Sequence, residues 1–175
     1  LKSLEKGYAG EEFEKYNVLA QLYIHIANIS YYNCDFSMVA QSAFRVISIV
    51  RRLKLGKAYI SGNMLYAVVT GYMGWGRVSD RYSKIATQCA EASGDPVQIG
   101  HVAAFNSIRS SLLGRRKEYE GMTNVLEDHA LTLTFDDAMT LSSLLVWSYL
   151  VRGYAASAQK WLRSSKRKMD AFGAQ

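Results

Sequence analysis

The sequence predicts an all-α fold: a right-handed superhelical array of about four antiparallel helix pairs, which is an α-solenoid. The main observation is a sequence repeat of about forty residues. Each repeat has an apolar helical stretch, a short break and a second helical stretch. Two features of the composition agree with it. Apolar residues make up 49% of the 175 residues, and a single proline leaves room for long uninterrupted helices.

The breaks mark the register of the repeat. Each contains residues that favour turns, and the breaks are Asn33-Cys34-Asp35, Gly74-Trp75-Gly76-Arg77, Gly114-Arg115-Arg116-Lys117 and Arg152-Gly153. An aromatic or aliphatic residue follows each of them, and these residues are Phe36, Val78, Tyr119 and Tyr154. They lie 42, 41 and 35 residues apart, so the predicted repeat has an uneven length.

The first helix pair is predicted over residues 11–56. Residues 1–10 are predicted to be the end of a preceding helix, because Leu1 and Leu4 lead to Gly7, which suits a C-cap. We therefore expect the array to continue upstream, in a longer protein. Acidic residues fill the first turn of the pair, where they favour the helix dipole. The second helix presents apolar residues at helical spacing, which are Phe36, Val39, Ala40, Ala43, Phe44, Ile47, Val50 and Leu53.

The remaining pairs are predicted over residues 57–95, 96–136 and 137–173. The boundary between the second and third pairs is the clearest, because Gly94 suits a left-handed cap and Pro96 cannot continue a helix. The third pair turns at Gly114 and the fourth at Gly153.

This pattern resembles the tetratricopeptide-like repeats. The matching residues include Ala27 and Tyr31, a small residue followed by an aromatic one, and Gly74 and Gly114, which precede turns. Phe36, Tyr119 and Tyr154 are the aromatic residues that follow turns, and Ala40 and Ala158 are alanines of the second helix of a pair. The ending Ala90-Glu91-Ala92-Ser93-Gly94-Asp95-Pro96 is similar to the longer repeats in the tails of soluble class III adenylate cyclases and signal-transduction ATPases. The resemblance implies an interaction segment, with any catalytic domain outside it.

No motif or group of residues in the sequence predicts catalysis, a cofactor or a metal site. Gly56-Lys57 is followed by Ala58 and lacks the upstream glycine of a phosphate-binding loop. The histidines lack zinc-ligand spacing, and they are His25, His101 and His129. A Gly-x-Ser-x-Gly nucleophile elbow is absent from the sequence. We therefore expect this segment to be neither an enzyme nor a cofactor-binding protein.

The formal net charge is +6, with basic residues in clusters. Most clusters lie near predicted helix ends, where cations complement the dipole, and this interpretation is favoured over a nucleic-acid footprint. A helical-repeat RNA reader needs a regular period, and the uneven intervals argue against one. Cys34 and Cys89 are too few for a disulfide framework, which favours a cytoplasmic protein. No apolar stretch is long enough to span a membrane.

The leading hypothesis is a non-catalytic scaffold that binds a protein, a peptide or another domain of the same chain. Stacked helix pairs create a concave surface lined by the first helix of each pair. Residues predicted there, with Trp75 as a turn anchor, are the partner-binding candidates: Tyr23, His25, Tyr66, Trp75, His101 and Asn106. Two alternatives stay open: a regulatory tail of a multidomain nucleotide cyclase or signalling ATPase, and a basic helical-repeat nucleic-acid binder.

Overall fold

The part of the chain that the structure describes is all-helical, as predicted. The structure is a computed structural model and describes residues 10–115, 143, 146, 149–150 and 153–173. The helices with defined bounds in this part are α1 (Glu11–Tyr32), α2 (Phe36–Leu53), α3 (Lys57–Tyr72), α4 (Gly76–Ser93), α5 (Pro96–Leu112) and α6 (Ala155–Gly173). The predictions for the preceding helix end and for the second helix of the third pair lie outside the described residues.

The helices begin where local chemistry favours a start. The side chains of Asp35 and Asp95 cap α2 and α5 by accepting hydrogen bonds from the amides of Met38 (3.0 Å) and Val97 (2.9 Å). Pro96 occupies the first turn of α5, where its missing N–H is not needed. The ends of α1, α3 and α5 lie within two residues of the first three predicted breaks, the usual scatter of helix ends.

One type of turn, the Schellman motif, recurs at the end of α1, α3 and α5 and again before α6. After α1, the Asp35 amide donates to the carbonyl of Ser30 (2.8 Å) and the Cys34 amide donates to that of Tyr31 (3.0 Å). Cys34 adopts the left-handed conformation, with φ 58°. The same pair of hydrogen bonds closes the other turns, whose left-handed residues are Gly74 (φ 79°), Gly114 (φ 69°) and Gly153 (φ 77°).

The left-handed residues of these turns lie 40, 40 and 39 residues apart. The uneven intervals of 42, 41 and 35 residues, predicted from the residues after the breaks, are therefore wrong for the spacing of these turns. Their markers occupy different positions, since Phe36 opens α2, Val78 lies inside α4 and Tyr154 precedes α6. Tyr119 lies outside the described residues.

Cys34 is the one of these left-handed turn residues that is not glycine, and we predict that Cys34→Gly stabilises the protein by about 1 kcal/mol. A side chain in this region costs roughly 1–2 kcal/mol, which glycine avoids while losing some of the gain through its greater freedom when unfolded. The converse change, Gly74→Ala, should destabilise by about 1 kcal/mol. An added Cβ on Gly74 meets no atom within 4 Å, so this cost is purely conformational. Urea denaturation checks both variants, and equal midpoints for wild type and Cys34→Gly would contradict the prediction.

Within α1 to α5, each helix packs on the next helix or the next but one along the chain. The core lies mainly between α2 and α3, with the fully buried side chains of Val46, Val50, Leu53 and Met64. These two helices approach closely at Gly62, where an added Cβ would lie 2.8 Å from Cγ1 of Val50 and 3.3 Å from Cγ2 of Val46. α3 is consequently buried on most of its faces.

Candidate functional site

An open depression of about 570 Å³ lies on the exposed face of α2. Its lining residues recur at intervals of three and four, as one face of a helix does, and they are Ser37, Ala40, Gln41, Phe44, Arg45 and Ser48. The other face of α2 is buried against α1 and α3 through residues such as Ala43, Val46 and Val50. The depression, called the α2 depression below, is therefore displayed by a firmly packed helix.

Phe44 is the large apolar side chain of the α2 depression, and it is 38% exposed. Its ring meets those of Trp75 and Tyr66 edge to face, with centroid distances of 6.2 Å and 5.5 Å. Trp75 is 46% exposed, and the turn holds its backbone because its amide donates to the carbonyl of Thr70 (2.8 Å). Phe44 and Trp75 thus offer half-exposed aromatic surface at a defined position.

Two exposed arginines of α2 lie against tyrosines of different helices. Arg45 lines the α2 depression, and its guanidinium carbon lies 5.9 Å from the ring centroid of Tyr23, within cation–π distance. Further along, Arg51 donates a hydrogen bond to the hydroxyl of Tyr82 (2.5 Å), which raises the pKa of Arg51 above its ordinary value. Both guanidiniums are therefore cations that rest on tyrosines of other helices.

The candidate residues predicted from the sequence do not form one surface. Trp75 lies beside the α2 depression, and Tyr23 adjoins it through Arg45. Tyr66 is buried, with the ring of Tyr82 only 4.7 Å from its own. The expectation that Tyr66 belongs to an open concave surface therefore disagrees with its position in the structure.

His25, His101 and Asn106 lie apart from this group. His25 is exposed on α1, and His101 is half-buried with its ring 4.6 Å from that of Phe105. Asn106 is buried, so its predicted place on an open surface also disagrees with the structure. Asn106 lies 40 residues after Tyr66, and this position of the repeat faces inward in both helices.

Asn106 belongs to a polar network between α4 and α5. Its side-chain oxygen accepts hydrogen bonds from Ser83 Oγ (2.5 Å) and Arg109 Nε (3.1 Å). Arg109 also donates to Asp80 (2.6 Å), and Arg115 donates to both oxygens of the same carboxylate (2.5 and 2.8 Å). The hydrogen bond from Arg115 is the largest cause that lowers the pKa of Asp80 to about 2. These groups satisfy one another, which fits a structural role.

Phe44 and Arg45 are functional candidates that the sequence did not indicate. The apolar pattern of α2 predicts Phe44 as a core residue, but it lies at the edge of the apolar stripe. Its neighbours on that side are polar, since Gln41 and Ser48 also line the depression. This polar border is the sequence feature that indicates an exposed Phe44, because an aromatic residue at the edge of an apolar stripe reaches the surface.

Neither residue chemistry nor likeness to other proteins identifies a further site. Among the described residues, no group of three or more His, Cys, Asp or Glu could hold a metal ion. In the same part of the chain, no helix has the length and apolar character needed to cross a membrane. Burial raises the pKa of the Cys89 thiol, which opposes thiolate chemistry. Comparisons with models of protein families, with curated proteins and with solved structures find no match.

Proposed function

We propose that this chain is a non-catalytic helical-repeat segment of the tetratricopeptide-like α-solenoid type, which binds a short protein segment in the α2 depression. The observation that carries the proposal is the depression itself, with Phe44, Trp75 and Arg45 around it. The repeat supports the solenoid assignment: the same turn recurs after 40, 40 and 39 residues, and neighbouring helices pack on each other as stacked pairs do.

The lining of the α2 depression specifies the chemistry of the partner. The exposed parts of Phe44 and Trp75 suit a large apolar side chain, because aromatic anchors dominate the energy of many interfaces. Arg45 suits a carboxylate, and the lining contains no acidic residue that would repel one. Ser37 and Gln41, where the Gln41 side-chain amide donates to the Ser37 hydroxyl (3.4 Å), add polar groups that can also bond the backbone of a bound segment. The expected partner is thus a peptide segment with an apolar anchor and an adjacent Asp or Glu.

Selection of a random peptide library, displayed on phage, against the immobilised 175-residue chain tests this function. We expect the selected peptides to share an aromatic or leucine anchor next to an acidic residue. Their Kd should rise by about tenfold or more, equivalent to about 1.4 kcal/mol, with Arg45→Glu and with Phe44→Ser. Lys57→Glu is the matched control, since it makes the same charge change at the start of α3, where a carboxylate is tolerated.

Peptides that bind wild type and Arg45→Glu equally well would contradict the α2 depression as the site. Circular dichroism confirms that each variant keeps its helices. If no peptide is selected and single-stranded RNA binds in a salt-dependent way that Arg45→Glu weakens, the nucleic-acid alternative replaces this proposal.

A further inference from the structure

Two arginines of α2 lie over tyrosine rings of α1. The guanidinium carbon of Arg45 is 5.9 Å from the ring centroid of Tyr23, and that of Arg52 is 5.3 Å from the ring centroid of Tyr16. Arg52 also donates a hydrogen bond to the Tyr16 hydroxyl (2.7 Å). The arginines are seven residues apart on α2 and the tyrosines seven residues apart on α1, in the opposite order, as in antiparallel helices. These two contacts are called the Arg–Tyr row below.

Both arginines of the Arg–Tyr row can bind a further anion. They are exposed, and among the residues that the structure describes neither Arg45 nor Arg52 forms an ion pair with a carboxylate. A guanidinium carries five N–H donors, so contact with one ring leaves donors for a carboxylate. The ring also restricts where the guanidinium lies, which lowers the ordering cost of a new ion pair. The row is therefore a pair of prepared carboxylate sites.

The Arg–Tyr row extends the α2 depression towards the C-terminal end of α2. Arg45 and Ser48 line the depression, and Arg52 follows Ser48 by one turn on the same side of the helix. At 1.5 Å per residue, the Cα atoms of Arg45 and Arg52 are about 10 Å apart along the helix. A segment bound at Phe44 and Arg45 would reach Arg52 by continuing in this direction.

The surface of α2 favours a segment in the polyproline II conformation. The α2 backbone groups bond within the helix, so this face cannot add a β-strand, whereas a polyproline II segment keeps its backbone in water. Side chains three residues apart in this conformation share a face and lie about 9 Å apart, close to the separation of Arg45 and Arg52. Neighbouring side chains differ in direction by about 120°, compared with about 100° between Phe44 and Arg45 on a helix.

We propose that the segment bound in the α2 depression carries two acidic residues three positions apart, one bound by Arg45 and the other by Arg52. Its apolar anchor is the neighbour of the acidic residue on Arg45. This inference rests on the proposed function and adds to it the second acidic residue, its spacing and the conformation of the bound segment.

Fluorescence anisotropy of labelled synthetic peptides, titrated with the 175-residue chain, tests the inference. The probes are Pro-Pro-Trp-Glu-Pro-Pro-Glu-Pro and its reverse, Pro-Glu-Pro-Pro-Glu-Trp-Pro-Pro, whose prolines favour the polyproline II conformation. Each probe has a one-acid form, with glutamine in place of the glutamate that is farther from tryptophan. We expect the two-acid form of at least one probe to bind about fivefold more tightly than its one-acid form, a gain suited to an exposed ion pair.

Arg52→Gln should remove this fivefold gain and leave the affinity for the one-acid form unchanged. Arg51→Gln is the matched control, because it removes the same charge one residue earlier, on a side chain that lies against Tyr82 of α4 and outside the Arg–Tyr row. The gain should remain in this control. Circular dichroism checks that both variants keep their helices.

Two outcomes overturn the inference and leave peptide binding in place. One is a gain that survives Arg52→Gln, and the other is equal binding of the two-acid and one-acid forms of both probes. In either case the one-acid forms still bind, and Phe44→Ser weakens that binding. If no form of either probe binds, the failure lies in the proposed function, and this inference is overturned with it.

Discussion

Replacing Gly62 with valine is expected to lower the free energy of unfolding by about 3 kcal/mol, at the upper end of overpacking costs. An added Cβ alone would lie 2.8 Å from Cγ1 of Val50, closer than carbon atoms pack. Val50 is β-branched and fully buried, so its side chain cannot rotate out of the way. The gain in helix propensity over glycine is only a few tenths of a kcal/mol and does not offset the clash.

Two further variants make this prediction specific to the contact between α2 and α3. Gly76→Val is the control, since the nearest neighbour of a Cβ there lies at 3.8 Å, and we expect a change below about 1 kcal/mol. In Val50→Ala/Gly62→Val, the smaller residue opens space for the larger one, so the double variant should be more stable than the sum of its parts. Urea denaturation followed by circular dichroism measures all of them. Strict additivity would show that Gly62 and Val50 do not compete for the same space.

Asp80→Ala is expected to produce the second large effect, a loss of about 2 kcal/mol at neutral pH. The change leaves Arg109, whose side chain is 7% exposed, without its carboxylate. An uncompensated buried charge costs about 3–5 kcal/mol, but the Asp80 side chain is 44% exposed, so water replaces part of the lost interaction and the smaller figure applies. Asp170→Ala removes an exposed carboxylate on α6 and serves as the control.

The contribution of Asp80 to stability should disappear in acid. Its pKa in the folded protein is about 2, below the ordinary value of 3.8, chiefly because Arg115 and also Arg109 bond the charged carboxylate. A group whose pKa is lowered by folding contributes stability that is present above its ordinary pKa and is lost as the pH falls through the folded pKa. The difference in unfolding free energy between wild type and Asp80→Ala should therefore be constant above about pH 5 and shrink between 3.8 and about 2. A constant difference throughout that range would show that the ion pair does not stabilise the fold.

The helix ends and turns could be predicted from the sequence because chemistry within a few residues determines them. Asp35 and Asp95 cap helices with their own side chains, and Gly74 and Gly114 fill left-handed positions that suit glycine. Cys34 holds the same position, but a cysteine carries no signal for the left-handed conformation. A register counted from the residues that follow the breaks is therefore uneven.

The buried faces, and with them most of the candidate site, depend on contacts between distant residues. α3 is buried on most sides, so its sequence shows no single apolar stripe. Its polar residues Asn63 and Thr70 are tolerated inside because they donate to the carbonyls of Tyr59 and Tyr66 one turn earlier (2.7 Å each). Tyr66 itself is enclosed by rings of α2 and α4, and no local pattern encodes that arrangement.

The packing of α1 to α5 on near neighbours alone has a mechanical consequence. Among α1 to α5, no helix pair far apart in sequence locks the ends together, so tension between the ends of this part would act on contacts between near neighbours, which differ in extent. An end helix can then detach while the helices beyond it keep their own core. We expect this part of the chain to unfold under tension in more than one step.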